Sequence, residues 1–245
     1  ADYNVWMCFP GIYSFSMSSL GFLWVFKLIE MLEDVNIDRI CTDTQKTKIM
    51  LKDVNLVGFS FSFDLDFMNI FKILDKHKIP IKSCDRGEEY PLVFGGGPVL
   101  TTNPAPFKDF FDFFIIGDGE KANIDAINVC KEMKDKSKDE VLKALSDIEG
   151  VYVPKYPKNI KKSVCDLSEC VFTPILSEKS FFKNTLIMEI ARGCANRCGF
   201  CIASYINLPA RFADYDTIIN IIDNGLKYTH KIALLGALIS AHPDF

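Results

Sequence analysis

The most reactive part of the sequence is the stretch EIARGCANRCGFCIASYINLPARF, residues 189–212. It holds three cysteines, Cys194, Cys198 and Cys201, in the spacing CxxxCxxC. Cysteines this close together are typical metal ligands, because a bound cation stabilises the thiolate form and the stretch is too short for useful disulfides. The triplet therefore predicts a metal or cluster site.

The number of thiols distinguishes zinc from iron. Structural zinc usually takes four ligands in two pairs, and the later histidines, His230 and His242, are predicted on another strand and the loop after it. A four-iron cluster takes one thiolate per iron, so three protein thiolates leave one iron for an exogenous ligand. An iron–sulfur cluster therefore fits better than zinc, which stays open as an alternative.

The segment CANRCGFC after an apolar strand resembles the radical S-adenosylmethionine (radical SAM) motif CxxxCxφC, with Phe200 at the aromatic position. The resemblance implies that Cys194, Cys198 and Cys201 hold a [4Fe-4S] cluster. It further implies that the fourth iron binds the amino and carboxylate groups of S-adenosylmethionine. Reductive cleavage of this cosubstrate would start radical chemistry, with a flavodoxin- or ferredoxin-type protein as one-electron reductant.

The next strand of this region offers two further cofactor-binding candidates. The family usually has a glycine-rich acidic motif there, which grips the methionine amino group. The matching place reads LLGALISAHPDF, with Gly236 but no adjacent glutamate, so Ser240 is the candidate substitute. A polar cap on a strand end explains Ser240 equally well. Glu189 and Arg192 flank the cysteines and either tune the cluster or form a surface ion pair.

The first 135 residues alternate short apolar runs with helix-like segments, which is typical of a doubly wound (Rossmann or flavodoxin-like) parallel sheet. The predicted strands are NVWMCFP, IDRICT, VNLVGFSFSF, PLVFGGG and FDFFIIG. Helical periodicity predicts helices over LGFLWVFKLIEML and LDFMNIFKILDKHK. The run Gly95–Gly97 favours a tight turn over a ligand cradle, and no nucleotide-binding fingerprint occurs.

The domain prediction is a cobalamin-binding-like domain over 1–135, a linker over 136–183, and over 184–245 the first part of a radical SAM β/α barrel. Only part of a barrel is expected, because a complete one takes roughly 200 residues. This order is similar to radical SAM proteins with a cobalamin-binding-type domain in front, including an uncharacterised branch. The cobalamin-ligating DxHxxG is absent, since no histidine precedes His77. Cobalamin binding is thus undecided, and a packing role for the domain is favoured.

The amino-acid composition narrows the possible partners and the cellular compartment of the protein. A net charge of −4 does not indicate nucleic acid as a partner, and the longest apolar run, LGFLWVF, is too short for a membrane span. Most of the nine cysteines are irregularly spaced, which favours a reducing compartment, so we expect a cytoplasmic protein. The expected function is that of a radical SAM enzyme with an unknown substrate. The alternatives are a noncatalytic zinc or iron–sulfur module and an inactive fragment of such an enzyme.

Overall fold

The computed structural model describes residues 3–244. The chain divides into two compact units. The N-terminal unit comprises the residues up to Tyr13 and Val25–Val164, and the cysteine unit comprises Ser14–Trp24 and the residues from Cys165 onward. Among the residues described, no helix is long and apolar enough to cross a membrane.

The first part of the chain, up to residue 152, alternates strands and helices as the apolar pattern predicts. In chain order they are β1 (Tyr3–Phe9), α1 (Tyr13–Ser16), α2 (Leu20–Glu30), β2 (Val35–Cys41), β3 (Leu56–Ser60), α3 (Phe67–Lys76), β4 (Leu92–Gly96), α4 (Pro98–Thr102), β5 (Phe113–Ile115), α5 (Gly119–Glu132), α6 (Lys138–Leu145) and β6 (Val151–Tyr152). Single turns of 3-10 helix lie at Leu51–Asp53, Asp64–Asp66, Ser83–Asp85 and Ala105–Phe107.

The strands of the N-terminal unit form one sheet in the order β2-β1-β3-β4-β5-β6. β1 to β5 run parallel, and β6 joins the edge antiparallel to β5. This is a doubly wound order, in which the direction of winding reverses between β1 and β3. The predicted fold class is confirmed.

The core of this unit explains why its strands are almost continuously apolar. Strands of a parallel sheet are covered on both faces, so successive side chains are buried instead of alternating with polar ones. In β3, Leu56, Val57 and Phe59 are fully buried. A cluster of large side chains fills one side of the sheet, including Trp6, Phe61, Ile70, Leu74, Val93 and Phe114.

The glycine run at the end of β4 leads into the turn that the sequence favours. Gly97 begins α4 with φ +115°, and a Cβ there would lie 2.6 Å from the Phe61 carbonyl oxygen. Only glycine fits this backbone and this approach.

The predicted linker, 136–183, is divided between the two units. α6 and β6 belong to the N-terminal unit, which extends to Val164. α6 begins with a capping box between Ser137 and Glu140 and buries Val141, Leu142 and Leu145. The apolar side chains of α6 are therefore part of the core of the N-terminal unit, and the unit boundary lies nearly thirty residues later than the predicted end of the domain.

The cysteine unit is built around one central strand. Its elements are β7 (Val171–Phe172), β8 (Thr185–Arg192), α7 (Ala203–Ile206), β9 (Arg211–Phe212), α8 (Tyr215–Gly225), β10 (Lys231–Gly236) and a 3-10 turn at Ile239–Ala241. β8 pairs parallel with β10 and antiparallel with β7 and β9. Asp214 caps α8, accepting the Thr217 N–H at 3.0 Å. The strand predicted before the cysteines and the strand predicted after them are present as β8 and β10.

Candidate metal centre

The three cysteines lie on a loop that leaves the carboxyl end of β8. We call residues 193–210 the cysteine loop. The chain enters the loop after Arg192 and returns to Arg211, and these two residues are paired in the β8–β9 ladder. The loop is therefore closed at its base by strand pairing, next to the most buried strand of the unit.

Gly193 packs the start of the loop against its end. It has φ +80°, and a Cβ on it would lie 2.4 Å from the Asn207 carbonyl oxygen and 2.9 Å from that of Pro209. A side chain would thus be both strained and obstructed, so glycine is required where the two limbs of the loop meet.

The thiols of Cys194, Cys198 and Cys201 are all partly exposed on this loop. The backbone N–H of Cys201 donates to the Cys198 carbonyl at 3.0 Å, which folds the CGFC segment into a turn. Within residues 3–244, no three His, Cys, Asp or Glu side chains are gathered closely enough to hold a metal ion as they stand. The structure brings the three cysteines onto one loop, and their shared coordination of a cluster stays a prediction.

The chemistry of the donor set fits a cluster ligand at Cys201. The Ser204 hydroxyl and the backbone N–H groups of Ser204 and Ala203 donate hydrogen bonds to its sulfur, which lowers the pKa of the thiol below its ordinary value. The thiolate is the form that binds metals.

Cys170 contrasts with Cys201. It is buried, its thiol donates to the Glu189 carbonyl at 3.5 Å, and burial raises its pKa to about 11. Cys170 is therefore held as a neutral thiol, which suits packing and not coordination.

Phe200, the aromatic residue of the motif, is 92% exposed. Its neighbour Gly199 has open space around it. The Phe200 ring therefore contributes nothing to the protein core, and its part in cofactor binding stays a prediction. Tyr205 steadies the same loop, because its hydroxyl donates to the Arg197 carbonyl at 2.9 Å.

Glu189 and Arg192 form a two-pronged ion pair at the base of the loop. Arg192 donates to the Glu189 carboxylate through Nε at 3.0 Å and through Nη2 at 2.7 Å. The Glu189 side chain is 17% exposed and the Arg192 side chain is 12% exposed. A bulge lies between the two residues: Glu189 faces Leu235 and Ala191 faces Gly236, so Ile190 is an extra residue in β8. Of the two interpretations left open, an ion pair is present, and it is largely buried.

Gly236 is the last residue of β10 and lies directly against β8. A Cβ there would lie 2.9 Å from the Ala191 Cβ. Ser240 lies on the exposed 3-10 turn that follows. The structure thus brings Gly236 beside the strand that carries the cysteine loop, while binding of a cosubstrate by either residue stays a prediction.

His242 is a structural residue. It is buried, its Nε2 lies 2.8 Å from the Ala213 carbonyl oxygen, and its ring packs edge-on against Phe212. A histidine held in this way ties the segment after β10 to the region around β9.

Sequence reasoning missed Arg211. Its guanidinium donates through Nε to Pro209 at 3.0 Å, through Nη1 to Cys165 at 2.6 Å and through Nη2 to Asn207 at 3.1 Å, in each case to the backbone carbonyl. No spacing rule reveals such contacts. The single hint in the sequence is an arginine two residues after Pro209, the only proline between the cysteines and α8.

Comparison with known families identifies the wider group. The model of the family described as "Radical SAM proteins, N-terminal" matches residues 23–154, more than half of the 245-residue chain. The chain belongs to the radical SAM proteins. The matched residues precede the cysteine loop, so the family assignment and the cysteine motif are independent observations on this radical SAM protein.

Two similar proteins are longer than this radical SAM chain. An uncharacterized protein of Methanocaldococcus jannaschii, MJ0966, is 26% identical over 191 residues, which cover 76% of this chain and 38% of MJ0966. The solved structure of the cobalamin-dependent S-adenosylmethionine radical enzyme OxsB, with aqua-cobalamin bound, matches 96% of this chain and 34% of its own with a TM-score of 0.66 at 16% identity. The second likeness establishes a shared fold, and the chain spans little more than a third of either protein.

Proposed function

We propose that this protein is a radical SAM enzyme in which Cys194, Cys198 and Cys201 hold a [4Fe-4S] cluster whose fourth iron binds S-adenosylmethionine. The observation that carries the proposal is the set of three thiols on one loop, closed at the carboxyl end of β8, in a chain of this family. When bound, such a cluster supplies one electron to the cosubstrate.

The residues around the loop would prepare it for that group. The hydrogen bonds from Ser204 favour the Cys201 thiolate, and Gly193 lets the two limbs of the loop meet. The Glu189–Arg192 pair fixes the strand end from which Cys194 projects. Gly236, Ser240 and Phe200 are the proposed contacts to S-adenosylmethionine. The substrate would be recognised largely by parts of the longer relatives that have no counterpart in this chain.

Anaerobic reconstitution with iron and sulfide tests the cluster. We expect about four irons per chain and a broad absorbance near roughly 400 nm, as for thiolate-bound clusters. Changing any one of Cys194, Cys198 or Cys201 to Ala should remove most of the iron. Cys84→Ser is the matched control, because Cys84 is an exposed free thiol of the N-terminal unit. Zinc retained in place of iron would support the noncatalytic module instead.

Cosubstrate chemistry needs its own measurement. Addition of S-adenosylmethionine should change the electron paramagnetic resonance spectrum of the reduced cluster, since the cosubstrate would bind the open iron. A reduced flavodoxin or ferredoxin is the proposed electron donor, and 5′-deoxyadenosine is the expected product. An unchanged spectrum would contradict an open iron. A changed spectrum without product would support the alternative that this part of the protein binds the cosubstrate and is inactive alone.

Cobalamin binding by the N-terminal unit is a second proposal. Its support is a set of exposed apolar side chains that follow the carboxyl ends of β1 and β3 in the chain: Ile12 and Phe63 on loops, Leu65 on a 3-10 turn and Met68 at the start of α3. Ligands of doubly wound sheets bind at this edge. No histidine precedes His77 in the sequence, so cobalamin would bind without a histidine ligand from those loops. Equilibrium dialysis with aqua-cobalamin tests this, and absence of saturable binding would favour a packing role.

A further inference from the structure

We infer that Arg211 is a positioning residue that holds the cysteine loop in the shape a cluster requires. The inference rests on the proposed function, since it concerns the same loop. It goes further by naming a residue outside the cysteine motif on which that loop depends.

The Arg211 side chain joins three backbone positions. Its Nε and Nη2 donate to the carbonyls of Pro209 and Asn207, both on the returning limb of the cysteine loop. Its Nη1 donates to the Cys165 carbonyl, in the segment that precedes β7. A guanidinium is planar and rigid, so three carbonyls bound to one fork are held at fixed separations.

The backbone of Arg211 is itself anchored. Arg211 is paired with Arg192 in the β8–β9 ladder, and β8 lies at the centre of its sheet. The guanidinium therefore holds the loop backbone at a fixed place relative to the buried strand β8. Hydrogen bonds that involve a charged donor are stronger than those between neutral groups, which makes the side chain an effective clamp.

The two loop carbonyls that Arg211 binds also lie against the first residue of the loop, Gly193. A Cβ on Gly193 would come closest to the Asn207 and Pro209 carbonyl oxygens, the two loop acceptors of Arg211. The guanidinium thus orients the backbone against which Gly193 packs. Cys194 is the next residue, so the placement of the first thiol depends on the clamp.

The test uses Arg211→Gln and Arg211→Lys with a matched control in the other unit. Arg86 also donates to three backbone carbonyls, those of Pro80, Ile81 and Phe110, but it lies in the N-terminal unit. Arg86→Lys therefore removes a comparable set of backbone contacts, and alters the Arg86–Asp112 ion pair as well, without touching the cysteine loop.

Hydrogen exchange of the metal-free chain is the first measurement. We expect amides of residues 193–210 to exchange about tenfold faster in Arg211→Gln, because stabilising contacts of the loop are lost while the strands remain. In Arg211→Lys the exchange rate should lie between those of the unaltered chain and of Arg211→Gln, because one ammonium group reaches fewer carbonyls than a guanidinium does. Arg86→Lys should leave this segment unchanged. Equal acceleration in β8, α8 and the loop would show a general structural role and overturn the inference, as would no acceleration. If Arg211→Gln is not recovered folded, Arg211→Lys decides.

Iron retention is the second measurement. After anaerobic reconstitution, a chelator should remove iron from Arg211→Gln about tenfold faster than from the unaltered chain or from Arg86→Lys, as expected for a loosened ligand loop. Equal rates would overturn the inference. Failure of the unaltered chain to take up iron would instead defeat the proposed function, and the exchange data on metal-free protein would still decide whether Arg211 orders the loop.

Discussion

Strands β3 and β10 are both short and apolar, yet they lie in opposite environments. In β3, four of five residues are buried, whereas no residue of β10 is buried. β3 has a neighbour on each side, β1 and β4, while in the described part of the chain β10 pairs only with β8. An apolar run therefore predicts a strand, but the number of neighbours decides how much of that strand is covered.

The two units also use arginine differently. Arg86 is fully buried with Asp112 and joins core segments of the N-terminal unit. Arg211 is partly exposed and orders a loop that carries reactive side chains. Similar backbone contacts thus stabilise a core in one unit and a candidate site in the other. Three sets of substitutions test how the two units differ.

The largest effect is expected from Arg86→Met. Removing one partner of a buried ion pair leaves the other charge uncompensated and costs about 3–5 kcal/mol. Burial already raises the pKa of Asp112 against the opposing effect of Arg86, and loss of the cation would raise it further. A raised pKa favours folding at low pH and loses that contribution as pH rises through the folded-state pKa, so the deficit should be larger at about pH 8 than at about pH 5.

Urea unfolding at both pH values measures this deficit. Lys27→Met is the control, because Lys27 and Glu30 form an exposed ion pair that contributes about 0–1 kcal/mol. A deficit for Arg86→Met that is the same at both pH values would contradict the assigned role of Asp112.

The paired changes Leu56→Ala and Leu235→Ala compare the strands directly. Leu56 in β3 is 0% exposed, and Leu235 in β10 is 47% exposed. The first should lower the free energy of unfolding by about 2–5 kcal/mol, because it leaves a cavity. The second should change it by less than about 0.5 kcal/mol, as for most surface positions. Urea unfolding in dilute solution measures both changes. A similar loss of unfolding free energy in the two variants would mean that Leu235 is buried in solution.

The smallest effect concerns helix caps. Asp214 caps α8 in the cysteine unit, and Ser137 caps α6 in the N-terminal unit. Replacing either by Ala should cost about 1 kcal/mol. In Asp214→Ala, amide exchange should quicken in α8 and not in α6, and Ser137→Ala should do the reverse. Acceleration in both helices from either change would contradict the division into two units.

Much of the fold was predictable because its signals are local. The apolar runs in the sequence predict β1 to β5. The pairing of β6 with β5 was not predictable, because a two-residue edge strand has no periodic pattern of its own and depends on its neighbour. The unit boundary was not predictable either, because it also depends on pairing between distant residues: it reaches Val164 partly because Ser163 bridges to Gly117.

The candidate site also has features that the local sequence reveals and features that depend on distant contacts. The cysteine spacing is local and was readable, but the Arg211 contacts join segments distant in sequence, 165 and 207–211. Glu189 and Arg192 are three apart, which puts side chains on opposite faces of a regular strand. The bulge at Ile190 lies between them and interrupts this alternation, and it arises from pairing with β10, which no single segment reveals.

β10 has a practical consequence for handling the protein. Its outer edge is unpaired among residues 3–244, and Leu234 and Leu235 are exposed along it. Such an edge presents free N–H and C=O groups on which a strand from a second molecule can add, so concentrated samples should associate edge to edge. Light scattering against concentration would register this growth, and dilute solutions are the appropriate conditions for loading iron.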